Sequence, residues 1–95
     1  TDYEGAEIAR LVQNKWNENF INEIEIVVGD EWHAGNLSYH LTSRPMWFNN
    51  LKNKISDIKI NGGVIYAGNP KILKELCPGV FGVIKPVGYC MIGQK

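Results

Sequence analysis

The sequence lacks a net charge and long apolar runs and contains little cysteine, and these are three features that often identify the class of a protein directly. Ten acidic and ten basic residues give a formal net charge of zero over 95 residues. Because the two signs are interspersed, no field exists that would concentrate nucleic acid or anionic lipid. No apolar run approaches the roughly 20 residues that a membrane-crossing helix needs. We therefore expect no nucleic-acid partner and no membrane-spanning segment within this sequence.

Cysteine is scarce as well, with only Cys77 and Cys90 in the chain. Their spacing fits neither a CxxC redox motif nor a zinc-binding pattern, and two cysteines do not make a disulfide framework. Free cysteine often behaves as a small hydrophobic residue, which favours two unlinked, half-buried thiols. A single disulfide is the alternative that the sequence leaves open, and metal binding is the least favoured interpretation.

The length and composition predict a single folded domain over residues 1–95. Apolar residues make up 44% of the chain and charged residues 21%, which is far from the composition of disordered proteins. The chain begins at Thr1 and has no basic segment followed by an apolar one. We interpret this start as that of a processed product or of a piece cut from a longer protein.

Hydrophobic periodicity predicts an alternation of helices and strands. The predicted elements are a helix over 5–17, a strand over 23–28, a helix over 32–41, a strand over 46–48, an ambiguous segment over 51–61, a strand over 64–67, a helix from 69 and one or two strands within 80–95. In the last helix, Ile72, Leu73 and Leu76 form the stripe that we expect to be buried. Pro86 cannot donate a ladder hydrogen bond, so one of the final strands is expected at an edge.

This alternation predicts the fold class. Strands that are separated by helices usually pair in parallel through right-handed crossovers. The sequence therefore predicts a small three-layer α/β sandwich, Rossmann-like, with a mainly parallel sheet of four to five strands.

The densest group of polar and aromatic side chains follows the first strand. In an open α/β sheet, ligands usually bind beyond the carboxyl ends of the strands. The candidate ligand-binding residues at this end are Asp30, Trp32, His33, Asn36, Tyr39 and Arg44. Carboxylate, imidazole, amide and aromatic groups in one short segment are typical of sugar-binding sites and of acid–base sites.

A purely structural interpretation of the same residues is favoured by their positions. Asp30 is well placed to cap the following helix, and Trp32 and Tyr39 to cover the sheet. Arg44 is more simply explained by a surface ion pair than by an anion site. His33 and His40 are seven positions apart, which puts them on one helical face without making them metal ligands, so no metal site is expected.

Motifs for catalysis and cofactor binding are not found in the sequence. Gly29 and Gly35 do not form a GxGxxG or Walker pattern, and Gly62-Gly63 precedes a predicted strand instead of following one. None of the serines stands in a nucleophile-elbow context. We therefore expect no catalytic residue and no cofactor in this domain.

One segment resembles a known protein family. The run 28–39, VGDEWHAGNLSY, is followed by Ser43-Arg44-Pro45. It resembles a pattern in the extracytoplasmic C-terminal domains of bacterial membrane glycosyltransferases, the relatives of protein O-mannosyltransferases and of the lipid A aminoarabinose transferase. In these domains a strand leads into Gly-Asp-x-Trp-x-Ala-Gly-Asn, an aromatic residue and then Arg-Pro. A preceding helix with Trp16 near its end and a later Gly-Gly-Val strand at 62–66 extend the resemblance.

The resemblance implies a location and a role. Members of this family transfer a sugar from a polyprenyl-phosphate donor, and their catalytic residues belong to a membrane domain that is not in this sequence. The chain would be a soluble accessory domain at the periplasmic or extracytoplasmic face, without activity of its own, that shapes acceptor access. Its partners would be the transmembrane domain of the parent protein and an acceptor or sugar. The resemblance also predicts that Asp30 and Asn36 organise the turn after the strand and that Trp32 is partly exposed.

Two other functions remain open. One is a free-standing α/β module that binds a sugar or a nucleotide at the strand ends. The other is a protein-interaction domain without a small ligand, which predicts a sizeable exposed apolar patch and no pocket.

Overall fold

The computed structural model describes residues 2–49 and 62–95, and the segment with the ambiguous prediction over 51–61 lies outside them. The described elements are α1 (Asp2–Asn19), β1 (Ile24–Val28), a π-helical turn (Glu31–Gly35), α2 (Asn36–His40), β2 (Met46–Phe48), β3 (Gly63–Gly68), α3 (Pro70–Leu76), β4 (Val80–Ile84) and β5 (Val87–Ile92). Each matches an element that the sequence predicts, and residues 80–95 supply two strands. The observed α1 begins three residues earlier than its prediction.

The five strands form one mixed sheet in the order β2-β1-β3-β5-β4. β1 pairs in parallel with both β2 and β3. β5 pairs antiparallel with β3 on one side and with β4 on the other. Half of the described strand pairs are therefore antiparallel, and the prediction of a mainly parallel, Rossmann-like sandwich is wrong.

The error lies in the last two strands. β4 and β5 form a tight hairpin around the cis Lys85–Pro86 peptide bond, so β5 reverses direction and lies between β3 and β4. Periodicity identifies a strand but contains no information about which neighbour it pairs with. Pro86 lies in the turn of this hairpin, where its missing N–H removes no ladder hydrogen bond.

The main core lies between α1, α2 and one face of the sheet. From α1 and the residue after it the core receives Val12, Trp16 and Phe20, which recur at four-residue steps and are all buried. Leu37 and Leu41 contribute from α2 and the residue after it, and the strands contribute Val27, Ile65, Tyr89 and Met91. The Trp16 Nε1–H donates to the Asn22 carbonyl oxygen at 2.6 Å, so this large ring is held in one position.

α3 lies against the opposite face of the sheet, and its packing differs from the prediction. Ile72 and Leu76 are 57% and 72% exposed, so they do not form a buried stripe. The helix is instead held to β5 by a disulfide between Cys77, just after α3, and Cys90, with a Cα–Cα distance of 5.6 Å. Cys90 alternates along β5 with the core residues Tyr89 and Met91, so its side chain faces α3. The expectation of two unlinked thiols is therefore wrong.

The approach of α3 to the sheet also depends on Gly88. A Cβ atom at this position would lie 2.6 Å from the Pro70 Cα atom, so only glycine allows the start of α3 to pack so closely on β5. Over the described residues, no helix combines the length and the apolar character that crossing a membrane would need.

Candidate functional site

The site begins with a cap at the end of β1. Asp30 has extended backbone geometry, and its Oδ1 atom accepts a hydrogen bond from the His33 backbone N–H at 2.7 Å. Its second oxygen, Oδ2, lies 3.1 Å from His33 Nδ1. The hydrogen bond from the His33 backbone is the largest cause that holds the pKa of the Asp30 carboxyl below its ordinary value, and the contact with the His33 ring lowers this pKa further. Asp30 is therefore ionised at neutral pH and fixes both the backbone and the ring of His33.

The turn that follows Asp30 is π-helical and is supported by Asn36. The N–H groups of Ala34 and Gly35 both donate to the Asp30 carbonyl oxygen, at 2.9 and 3.2 Å. Asn36 Nδ2 donates to the Trp32 carbonyl oxygen at 2.8 Å. π-helical turns are rare and occur frequently at functional sites. Asp30 and Asn36 thus organise the turn from its two ends, as the resemblance predicts.

Gly29 explains why the motif needs glycine before the aspartate. Its φ angle is 151°, and a Cβ atom there would lie 2.5 Å from the Ala67 carbonyl oxygen and 2.9 Å from the Ala34 Cβ atom. The Gly29 carbonyl oxygen accepts from Trp47 Nε1 at 2.8 Å. Gly29 therefore lies where β1, β2, β3 and the π-helical turn meet, and a side chain would separate them.

A cleft of about 230 Å³ opens between the start of α1, the π-helical turn with α2, and the start of β5. Its walls include six polar or aromatic residues, namely Glu4, Trp32, His33, Asn36, His40 and Tyr89. This volume is below the usual range for pockets that enclose a small molecule. The cleft is suited to contact with one ring of a ligand.

Trp32 supplies an open aromatic surface at this cleft. Its side chain is 73% exposed, so it does not cover the sheet as the structural interpretation of the sequence expected. An indole that is exposed on a rigid turn is free to stack on a ligand, since no other group covers it. Exposure of Trp32 agrees with what the resemblance predicts.

His33 presents a defined hydrogen-bonding atom. The ionised Asp30 carboxylate can only accept, so Nδ1 of His33 must carry the proton in their contact. In the neutral ring, Nε2 is then an acceptor. Within the described part of the chain, no hydrogen bond to Nε2 is found.

Tyr89 adds a second polar group from the sheet. The residue is only 2% exposed, and burial raises the pKa of its phenol to about 12. No described residue forms a hydrogen bond with its hydroxyl group. Because no buried side-chain oxygen or nitrogen among the described residues lacks a hydrogen-bond partner, this hydroxyl reaches solvent.

The structure separates Tyr39 and Arg44 from the other candidate residues. Neither lines the cleft. The Arg44 guanidinium lies 5.0 Å from the centre of the Tyr39 ring, a cation–π contact, instead of forming the expected ion pair. Arg44 also has a φ angle of 49°, a conformation that costs a non-glycine residue energy. These two residues stabilise the turn into β2.

Sequence reasoning missed Glu4 and Tyr89 and did not select His40. The seven-residue spacing of His33 and His40 was the available signal, because it places both on one face. Gly5 completes this arrangement, since a Cβ atom there would lie 2.7 Å from the His40 ring. Glu4 and Tyr89 come from α1 and β5, so no local pattern could have joined them to the motif.

The chemistry available at the cleft is hydrogen bonding and stacking. No group of three or more histidine, cysteine or acidic side chains within residues 2–49 and 62–95 is arranged to hold a metal ion. Comparisons of the chain with protein-family models, with curated proteins and with solved structures found no significant match. The site therefore has to be interpreted from its own geometry.

Proposed function

We propose that this chain is an accessory domain of a polyprenyl-phosphate-sugar-dependent membrane glycosyltransferase. In this role it does not catalyse transfer by itself and shapes the access of the acceptor to the active site of the membrane domain. The observation that carries the proposal is the turn built by residues 29–36. Its sequence resembles the pattern given above for such domains, and it presents an exposed Trp32 beside polar residues.

The rigidity of this turn supports a recognition role. The Asp30 and Asn36 side chains both bond to the backbone of the turn, and Asp30 also contacts the His33 ring. The backbone of Trp32 and the side chain of His33 are therefore held in place before any ligand arrives. Preorganised side chains lose less entropy on binding than free ones. A domain that guides an acceptor benefits from this arrangement more than one that only fills space.

The proposed location is the periplasmic or extracytoplasmic face, with the chain tethered to the inner membrane through the transmembrane domain of the parent protein. The Cys77–Cys90 disulfide is compatible with this location, because disulfides persist in oxidising compartments.

A free-standing sugar-binding module is the second candidate, and the cleft is the observation that favours it. None of the described residues that line the cleft is a lysine or an arginine, which disfavours the nucleotide version of this candidate because nucleotides bring phosphate.

The complete reading frame tests the proposal against this candidate. We expect the frame that encodes the chain to specify several apolar segments of about 20 residues before Thr1. In membranes that carry the complete enzyme, removal of this domain is expected to reduce transfer to the acceptor. A reading frame without such segments would contradict the proposal and leave the free-standing module.

A further inference from the structure

The cleft between α1, the π-helical turn and β5 combines two properties that together indicate one class of ligand. It is lined by the exposed aromatic side chain of Trp32 and by Tyr89 and His33, and no described residue forms a hydrogen bond with the Tyr89 hydroxyl or with Nε2 of His33. An apolar ligand would leave these polar groups unpaired, which is unfavourable. The ligand must therefore present both an apolar face and hydrogen-bonding groups.

Charge narrows the class further. Among the described residues that line the cleft there is one carboxylate, from Glu4, and no lysine or arginine. A phosphate or sulfate group would meet this carboxylate without either of these cations beside it. The described lining therefore favours a ligand whose bound part carries no negative charge.

We propose that the cleft binds one ring of a neutral saccharide. The C–H face of the ring stacks on the Trp32 indole, and ring hydroxyls bond to His33 and Tyr89. A sugar hydroxyl can donate to Nε2 of His33, and it can donate to or accept from the Tyr89 phenol. The cleft is open and small, about 230 Å³, so it contacts one ring and leaves the rest of a chain outside.

This inference deepens the proposed function, because it makes the saccharide the part of the acceptor or donor that this domain recognises. Only the source of the saccharide depends on the proposed function; the binding of a saccharide to the cleft does not. Binding by the chain and the content of the reading frame are measured separately, so the failure of one is distinguishable from the failure of the other.

The test is a titration of the isotope-labelled chain with neutral methyl glycosides of the common hexoses and pentoses, followed by NMR. Inorganic phosphate and glycerol are titrated in parallel. We expect saturable shifts, for at least one glycoside, at the Trp32 indole N–H and at the ring protons of His33 and His40. The dissociation constant is expected to be in the millimolar range, as is usual when a ligand is bound by a few contacts.

Variants identify the binding face. Trp32→Ala is expected to weaken binding about tenfold or more, because stacking supplies the largest contact. Tyr89→Phe removes a single oxygen atom and is expected to weaken binding about fivefold. Leu76→Ala is the control, since it removes an apolar side chain that is as exposed as Trp32, at 72%, and does not line the cleft, and its binding should equal that of the wild type.

Three outcomes would overturn the inference. The first is the absence of saturable shifts with every glycoside. The second is equal binding by the wild type and Trp32→Ala. The third is binding of phosphate at the cleft with higher affinity than any glycoside. Trp32 is largely exposed, so its replacement should leave the fold intact, and the amide spectrum of the variant verifies this.

Discussion

Loss of the Cys77–Cys90 disulfide is expected to destabilise the protein strongly. The bond joins the residue after α3 to the strand at the centre of the antiparallel part of the sheet. α3 itself has no buried side chain, so few apolar contacts hold it to the sheet. The disulfide therefore limits the freedom of the segment 77–90 in the unfolded chain and holds α3 in place in the folded one.

The magnitude follows from the length of the loop that the bond closes. For a sequence separation of 13, the chain-entropy relation gives about 3 kcal/mol of stabilisation at 25 °C. Small domains are stable by roughly 5–15 kcal/mol, so this is a large fraction of the total. In a domain of this size it corresponds to a decrease in the melting temperature of about 12–24 °C.

The assay is urea unfolding of the wild type and of Cys77→Ala/Cys90→Ala, each with and without a reductant. The double variant also loses the buried Cys90 sulfur, so its stability alone mixes a packing loss with the loss of the cross-link. The effect of the reductant on the wild type isolates the cross-link. We expect a decrease of about 3 kcal/mol in the free energy of unfolding for the wild type and no change for the variant.

An equal stability of the wild type with and without the reductant would refute this reasoning. It would mean either that the bond does not form in solution or that the reduced chain keeps the loop closed in its unfolded state. Measurement of free thiols in the unfolded protein distinguishes these two explanations.

Three further predictions concern the core and the pH dependence of stability. Gly63→Ala should destabilise by about 1–3 kcal/mol in urea unfolding, because its Cβ atom would overlap the buried Trp16 ring. Gly62→Ala is the matched control and should cost less, since its Cβ atom meets only a flexible glutamate side chain. The lowered pKa of Asp30 means that its carboxylate stabilises the fold above the ordinary pKa of 3.8 and that this contribution is lost as the pH falls through the folded pKa. Asp30→Asn, which keeps a capping oxygen, should lack this acid-dependent loss, and an unchanged acid profile would contradict the assignment. The raised pKa of Tyr89 means that stability should fall as the pH rises from 10 towards 12, and Tyr89→Phe should show a smaller fall, because burial also raises the pKa of Tyr66.

The candidate site could be predicted in part because some of its interactions are local. Asp30 and His33 are three residues apart, and Asn36 is four residues from Trp32, so the cap and the amide contact follow from spacing. The exposure of Trp32 does not follow from local spacing. Tyr89 comes from a strand more than fifty residues away, and its place beside the cleft depends on the position of β5 in the sheet.

By itself, the sequence determined the elements and the turn after β1. Apolar spacing and the residues that start and stop helices act within a few positions, so they are readable without partners. Only the tertiary structure decided the direction and place of β5, the exposure of Ile72 and Leu76, and the pairing of Cys77 with Cys90. Each of these depends on contacts between segments that are distant along the chain. Hydrophobic periodicity describes only neighbouring residues and therefore cannot predict such contacts.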